Sequence, residues 1–445
     1  MRASRRYDHA IHAVLPTFTV ALSLGSCEPH GGDKVTRPAL VYQGASERSI
    51  DADAPPTTIR DTTTPRPAPP AATVPADRGY LQRFADPARD SRLGVRLAAT
   101  PYKPRWQAAL QEAPPLAVLT AGDRAVIEAR DGWQLFGLDG KSLARGAHAD
   151  DTLVLDPANG VFYASHPSGM YAGYALADGK LAFAFATRQS AGFHRELIAR
   201  RGTQILLASI EQPVMAQTMR RPELSLLEWQ DLGAPMKVDP RGAVTTAREG
   251  ATLFVRTVPI VVALGLDALV VAAQDRVIFA EPITLKVTKQ LTGEFTPLTV
   301  SVDEASHAYL VVRSARGAAL WIVAPSGDRM ASVDLPPEIG APEHPPVIGF
   351  HHEVYLIASQ RVVTLGPDGK PAWTATLDAA IVGAVALPGG ELLVTAGSDV
   401  VALGPSGERR LVHHFDGVGL ATAAVLTAKG ELLVASDRQL YCLAP

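Results

Sequence analysis

At 445 residues the chain exceeds what one hydrophobic core usually supports, so it holds several domains or one architecture that grows by repetition. Apolar residues make up 47%, enough to fold, and a net charge of −3 gives no electrostatic case for nucleic acid, which needs a clustered basic face. Helical periodicity is scarce, while short Val/Leu/Ala/Ile runs broken by 37 Gly and 35 Pro recur throughout, which points to an all-β chain that turns often.

The chain opens with an export signal. Arg2, Arg5 and Arg6 form a positive region, residues 11–24 are mostly apolar, and Leu24-Gly25-Ser26-Cys27 follows. The apolar stretch is too short to span a bilayer, and small residues follow it, as in a cleavable signal. The ending L-G-S-C resembles the bacterial lipoprotein box. That resemblance implies a signal peptide over 1–26, cleavage before Cys27 and a diacylglycerol on the Cys27 sulfur, an anchor that needs no transmembrane helix. Glu28 stands where an Asp would resemble an inner-membrane retention signal, which favours the outer membrane, on its periplasmic side. The alternative is an ordinary secretory signal with an incidental cysteine.

Residues 27–76 read as a tether. Between 55 and 75 the chain is mostly Pro, Thr and Ala, too poor in apolar surface to fold and expected to be extended and semi-stiff. Residues 77–102 form a lead-in of ambiguous type, with room for a short helix near 79–83. From Lys103 to Pro445 the pattern repeats. Turns with Gly before a charged residue recur at Asp139-Gly140-Lys141, Asp178-Gly179-Lys180, Ser326-Gly327-Asp328, Asp368-Gly369-Lys370 and Ser406-Gly407-Glu408. Within three of the pairs the spacing is 39, 42 and 38 residues, about the length of one four-stranded propeller blade. A second marker, Gly390-Glu391-Leu392-Leu393-Val394, returns 40 residues later as Gly430-Glu431-Leu432-Leu433-Val434.

In blade terms, an inner strand over 382–387 leads to strands at 391–395, 400–403 and 410–415. Blades are expected to begin near Leu116, Thr152, Glu196, Val258, Leu298, Val347, Val382 and Ala421, and the stretch 233–292 is long for one blade. The fold expected is therefore a β-propeller of about eight four-stranded blades, or seven. Its last unit stops after three strands, at Tyr441-Cys442-Leu443. The missing fourth is supplied from the front of the chain, because Lys103-Pro104-Arg105-Trp106-Gln107-Ala108-Ala109-Leu110 matches 370–377 as K-P-x-W-x-A-x-L. An N-terminal outer strand would close the ring and remove two free sheet edges. Cys442, in this apolar closing strand, reads as a buried inert thiol.

The turn-plus-strand pattern Asp368-Gly369-Lys370-Pro371-Ala372-Trp373 resembles the PQQ-like, quinoprotein-type propeller repeat. The resemblance covers roughly 103–445, with several repeats lacking the Trp. In architecture and anchoring the chain is also similar to the propeller lipoprotein of the outer-membrane β-barrel assembly machine, departing from it in its long tether. A quinoprotein dehydrogenase would need carboxylate and amide oxygens for calcium beside its cofactor, and many have a vicinal disulfide. Asn159 is the only asparagine and there are two cysteines, Cys27 and Cys442, so no cofactor is expected.

Other chemistry is thin. His351-His352-Glu353 lacks the second histidine of His-Glu-x-x-His, since Leu356 stands there, and neighbours on a strand point to opposite faces. His413-His414 with Asp416 fails for the same reason, so both pairs read as exposed histidines. Asp150-Asp151 and Asp303-Glu304 read as solvated turns, Asp156-Pro157-Ala158-Asn159-Gly160 as a turn rather than a calcium loop, and Arg200-Arg201 and Arg220-Arg221 as solvated loops. Phe162, Tyr163, Tyr171, Tyr174, Phe183 and Phe185 mark one blade, as strand packing or a partner-binding face. With no catalytic or metal constellation, the expectation is a non-enzymatic interaction scaffold with an envelope protein as partner. The alternative is a small-ligand-binding or enzymatic propeller using the channel mouth, which His, Asp, Glu or Arg gathered there would favour.

Overall fold

The computed structural model describes residues 92–445, except 112–113, 131, 148–152, 166–169, 187–194, 202–203, 212–223, 232–243, 247, 256–260, 338, 340–341, 343 and 367–368. The expected signal peptide, tether and helix near 79–83, together with Asp150-Asp151 and Arg220-Arg221, lie outside the described residues. The rest is eight antiparallel sheets, seven of four strands and one joined by a fifth.

Blade 1 runs Pro115–Ala121, Arg124–Ala129, Gly132–Gly137 and Ser142–Ala147. Blade 2 runs Val154–Asp156, Val161–Ser165, Met170–Ala175 and Leu181–Ala186. Blade 3 runs Arg195–Arg201, Gln204–Glu211, Leu224–Asp231 and Arg248–Val255. Blades 4 and 5 begin with Val261–Leu264 and Phe295–Val302, and blades 6, 7 and 8 with Val347–Ile348, Ile381–Leu387 and Val425–Leu426. The count is eight, with inner strands at or close to the starts expected from the turn markers. The long stretch 233–292 resolves into the outer strand of blade 3 and the whole of blade 4. A short segment, Val244–Thr246, leaves blade 3 and pairs parallel with the outer strand of blade 2.

The closure is as the K-P-x-W echo implied. Lys103–Ala109 pairs antiparallel with Gln439–Ala444, Trp106 opposite Cys442 and Gln107 opposite Tyr441. The inner strand of blade 1 then packs on the first two strands of blade 8, which shuts the circle. Cys442 is fully buried, and burial pushes its thiol up to about 11, so it is inert.

The echo has a geometric cause. Outer strands carry a bulge near their start, at Arg105 in the closing strand and at Ala372 in blade 6. The bulge re-aims the following tryptophan at the next blade. Trp106 donates its indole N–H to the carbonyl of Leu138 at 2.8 Å, and Trp373 donates to Pro405 at 2.8 Å. Each acceptor lies two residues before a turn glycine with positive φ, Gly140 at 85° and Gly407 at 83°. A Cβ on either glycine would come within 3.0 Å of the indole, so glycine answers both to the left-handed backbone and to the ring lying on it. Where blades lack the Trp, Lys289 and Val333 lie against Gly327 and Gly369 instead.

Polar bonds also stitch blade to blade. Arg124 donates to the Leu176 carbonyl, Ser301 Oγ to the Pro346 carbonyl, Tyr355 to the Gly390 carbonyl, and the Ala424 N–H to Thr395 Oγ1. Core clusters likewise run across blade boundaries, one from blade 7 through 8 and 1 into blade 2. In it Trp133 of blade 1 meets Phe162 and Tyr174 of blade 2, both at 4.7 Å between ring centroids. These aromatics are inter-blade packing.

Candidate functional site

The turns nearest the centre of the ring join each first strand to its second. Several are built on one five-residue plan in which the first N–H bonds the fifth carbonyl, as in Asp303 to His307, Gly349 to Glu353 and Thr427 to Glu431. The plan needs a left-handed fourth residue. In blade 8 it is glycine, Gly430 at φ 76°, but in blades 5 and 6 it is Ser306 at 61° and His352 at 63°. A non-glycine residue held there costs on the order of 1 kcal/mol or more, a strain that persists only where the surroundings fix it. Ser306 is fixed because its hydroxyl accepts the Asp267 N–H of blade 4 at 2.8 Å. His352 is fixed by burial against the neighbouring turn.

Between those two turns lies a buried polar cluster. Asp303 is 2% exposed. Its Oδ1 accepts the backbone N–H groups of Ala305 and His307 at 2.9 and 2.8 Å, and its Oδ2 lies 3.0 Å from His307 Nδ1 and accepts the Tyr309 hydroxyl at 3.2 Å. Burial alone would raise the Asp303 pKa, but the His307 ring, the His307 backbone and Tyr309 together hold it below the ordinary carboxylate value. As an ionised carboxylate can only accept, His307 carries its proton on Nδ1. Burial, then the Asp303 charge, pushes the Tyr309 phenol far above its usual value. His352 closes the cluster from blade 6, its Nδ1 3.9 Å from Asp303 and its Nε2 3.7 Å from Glu304.

The partner of Glu304 comes from the lead-in. Arg92 Nη1 is 2.7 Å from Glu304 Oε2, and the guanidinium stands 5.9 Å over the ring of Phe350. Arg92 forms a parallel bridge with Ala386 of blade 7, whose carbonyl accepts the Leu93 N–H at 3.0 Å. Blades 5, 6 and 7 thus meet on one arginine that is 2% exposed. From there the chain runs outward past blades 7 and 8. Arg410 and His413, on the outer strand of blade 7 (Arg409–His414), donate to the carbonyls of Ala98 and Tyr102, and the Tyr102 hydroxyl donates to the Gly430 carbonyl. Residues 92–102 therefore form a strap that runs from the inner turns outward along blades 7 and 8, ending where the closing strand begins.

The strap and closing strand are basic where the turns are acidic. A glutamate stands at the start of the second strand in blade 7, Glu391, and just before it in blade 8, Glu431. Glu391 lies 3.5 Å from Arg410, and Glu431, buried, pairs with Arg105 of the closing strand.

Two expectations from the sequence need correction. Asp303-Glu304 is not a solvated pair, because Asp303 is buried and Glu304 is tied to Arg92. Of His351-His352, only His351 is exposed; His352 is buried. Both lie in the Gly349–Glu353 turn and not on a strand, and it is the left-handed backbone at His352 that sets the two apart. The second pair divides likewise: His413 turns to Tyr102 and packs edge-on to Phe415, while His414 sits between Asp399 at 2.6 Å and Asp416 at 3.3 Å. Asp399 bonds one ring nitrogen and Asp416 faces the other, which rules out chelation of one ion by the three. Arg92 was missed altogether; the signal for it was Ser306 and His352 standing where other turns have glycine.

Among the described residues no group of three or more His, Cys, Asp or Glu side chains converges as metal ligands. Asn159 Nδ2 donates to Asp156 Oδ1 at 3.2 Å within its own turn. The sole asparagine is thus spent locally, and the inner-turn carboxylates Asp303 and Glu304 are bonded to His307, Tyr309 and Arg92, so these residues do not fit the amide-and-carboxylate calcium site of a quinone cofactor.

No protein-family model and no curated protein matches the chain. Solved structures do. The quinohemoprotein alcohol dehydrogenase from Comamonas testosteroni aligns with a TM-score of 0.57 at 9% identity over 83% of this chain and 81% of that one. BamB from Moraxella catarrhalis aligns with a TM-score of 0.51 at 11% identity over 77% of this chain and 100% of that one. Sqt1 from Saccharomyces cerevisiae aligns with a TM-score of 0.54 at 10% identity over 79% and 100%. At such identities the likeness is one of fold: the chain is a β-propeller, distantly similar in architecture to the quinohemoprotein alcohol dehydrogenase and to BamB.

Proposed function

We propose that this chain is a lipid-anchored envelope propeller that acts as a non-enzymatic scaffold for another envelope protein. The observation that carries the reading is the strap. The polar groups at the mouth bond to one another and to the chain's own Arg92, which leaves rim loops on a rigid frame as the surface for partners. Cys27 would carry the lipid, and 27–76 would hold the ring off the membrane, the outer membrane being favoured by Glu28. The fold likeness to BamB agrees with this reading; the likeness to a quinohemoprotein dehydrogenase supports its rival.

That rival, a ligand-binding or enzymatic mouth, has one observation in its favour: Asp303, Glu304, His307, His352 and Arg92 do gather at the inner turns. Against it, Asp303 and Arg92 are buried and already bonded within the fold. The deciding experiment is capture from solubilised envelope with the full chain as bait, alongside a thermal-shift screen of small molecules. A specific protein partner is expected. No partner, with a small molecule raising the melting temperature, would reverse the order of the two readings.

A further inference from the structure

The inner ends of blades 5, 6 and 7 hold Arg92 as a binding site holds a ligand. The guanidinium meets a carboxylate, Glu304 at 2.7 Å, and an aromatic face, Phe350. The backbone beside it is read as well, through the Leu93 N–H to the Ala386 carbonyl and the parallel bridge at Arg92. The Leu93 side chain is buried in the inter-blade core. The three walls come from three blades, and His352 holds a strained backbone to form one of them. Residues 93–100 join no sheet; beyond Arg92 and Leu93 the strap is fastened by side chains, with Leu97 in the core and the Ala98 and Tyr102 carbonyls bonded to Arg410 and His413.

We propose that the mouth is a binding site for an extended peptide segment carrying Arg followed by a bulky aliphatic residue, and that Arg92-Leu93 is its intramolecular occupant. A segment of a partner protein with the same pair displaces the strap, adds to the edge of Ala386 and takes over Glu304 and Phe350. This deepens the scaffold reading and rests on it, since it supplies the chemistry by which a partner is chosen. The occupant is a peptide and not a free guanidinium, because the Ala386 carbonyl bonds a main-chain N–H and the core pocket takes a leucine. Displacement costs one ion pair, one backbone hydrogen bond and the exposure of one leucine, which an identical segment restores. The site is self-limiting: while the strap is seated, only a segment at high local concentration competes.

The test uses a labelled peptide with the sequence of residues 89–97 and the purified full chain. Binding is measured by fluorescence anisotropy to the wild type, to Arg92→Ala and to Arg92→Ala with Glu304→Gln. The Arg92→Ala chain is expected to bind at least about tenfold more tightly than wild type, the equivalent of about one charge-assisted hydrogen bond. Adding Glu304→Gln should remove the gain, and a peptide with Ala in place of its Arg92 should bind none of the three. Absence of binding to Arg92→Ala, binding that ignores Glu304→Gln, or competition by free arginine equal to that of the peptide would each overturn the proposal. Should Arg92→Ala fail to fold, amide exchange in the wild type decides. Excess peptide is expected to speed exchange at Leu93, and an unchanged rate contradicts displacement. Capture of a partner by a chain that binds no peptide would remove this inference and leave the scaffold reading standing.

Discussion

Replacing Trp106 by Ala tests whether the ring is held shut by its first strand. The substitution deletes an indole lying on Gly140 and leaves the Leu138 carbonyl without its donor. A fully buried Trp→Ala change costs roughly 3–5 kcal/mol. Trp106 is half-buried, so about 2 kcal/mol is the packing share, and the lost hydrogen bond adds about 1 kcal/mol. The expected loss is therefore about 3 kcal/mol. Trp373→Ala is the internal control, with the same 2.8 Å bond and the same glycine beneath, at a junction in the middle of the chain. In a closed ring the two junctions are equivalent, so both variants should lose similar stability in one transition, with far-UV circular dichroism and tryptophan fluorescence coinciding. In an open array blade 8 would fray by itself. A Trp106→Ala melting curve like wild type, or an early separate transition absent from Trp373→Ala, would refute the closure.

Cys27→Ala should move the protein from the membrane fraction to the soluble fraction of cells; unchanged partitioning argues against lipidation. Asp303→Asn should cost about 3 kcal/mol, because buried N–H and O–H donors lose their charged acceptor. Since the folded pKa of Asp303 is depressed, that stability is present above its unfolded value near 4 and fades as pH falls through the folded value, so wild type and variant should converge in acid melts. The Asp399 bond, and after it the Asp399 and Asp416 charges, raise the His414 pKa, so its contribution is complete below its unfolded pKa, about 6.5, and disappears as pH rises through the folded one. His414→Gln should therefore lower the melting temperature in mildly acidic buffer and leave it unchanged in alkaline buffer. Cys442 should resist thiol reagents at neutral pH in the native state and react once denaturant is added.

Much of the fold was legible because its rules are local. A turn that needs a left-handed residue announces itself as Gly before a charge, and an inner strand as a small-residue aliphatic run. The closing strand was legible for a stronger reason. Lys-Pro-x-Trp encodes a bulge and an indole aimed at the next blade's turn, so a copy at 103–106 with no blade before it had to belong to the last one. The mouth was not legible. Asp303-Glu304 and His351-His352-Glu353 are polar turns in any local reading; Asp303 and His352 are buried because the two turns meet across a blade boundary, and Glu304 is tied to Arg92, more than two hundred residues away along the chain. Blade 3 was blurred for a similar reason, because Val244–Thr246 leaves its own sheet for the edge of blade 2.

Hydrogen exchange resolved along the chain, comparing the full chain with one lacking 103–110, tests closure most directly. With the outer strand of blade 8 gone, protection should fall in blades 8 and 1 and then, because each blade leans on the next, around the whole ring. Loss confined to the strands of blade 8, with Pro115–Ala121 and the remaining blades as protected as before, would mean that the circle is not held by its own first strand.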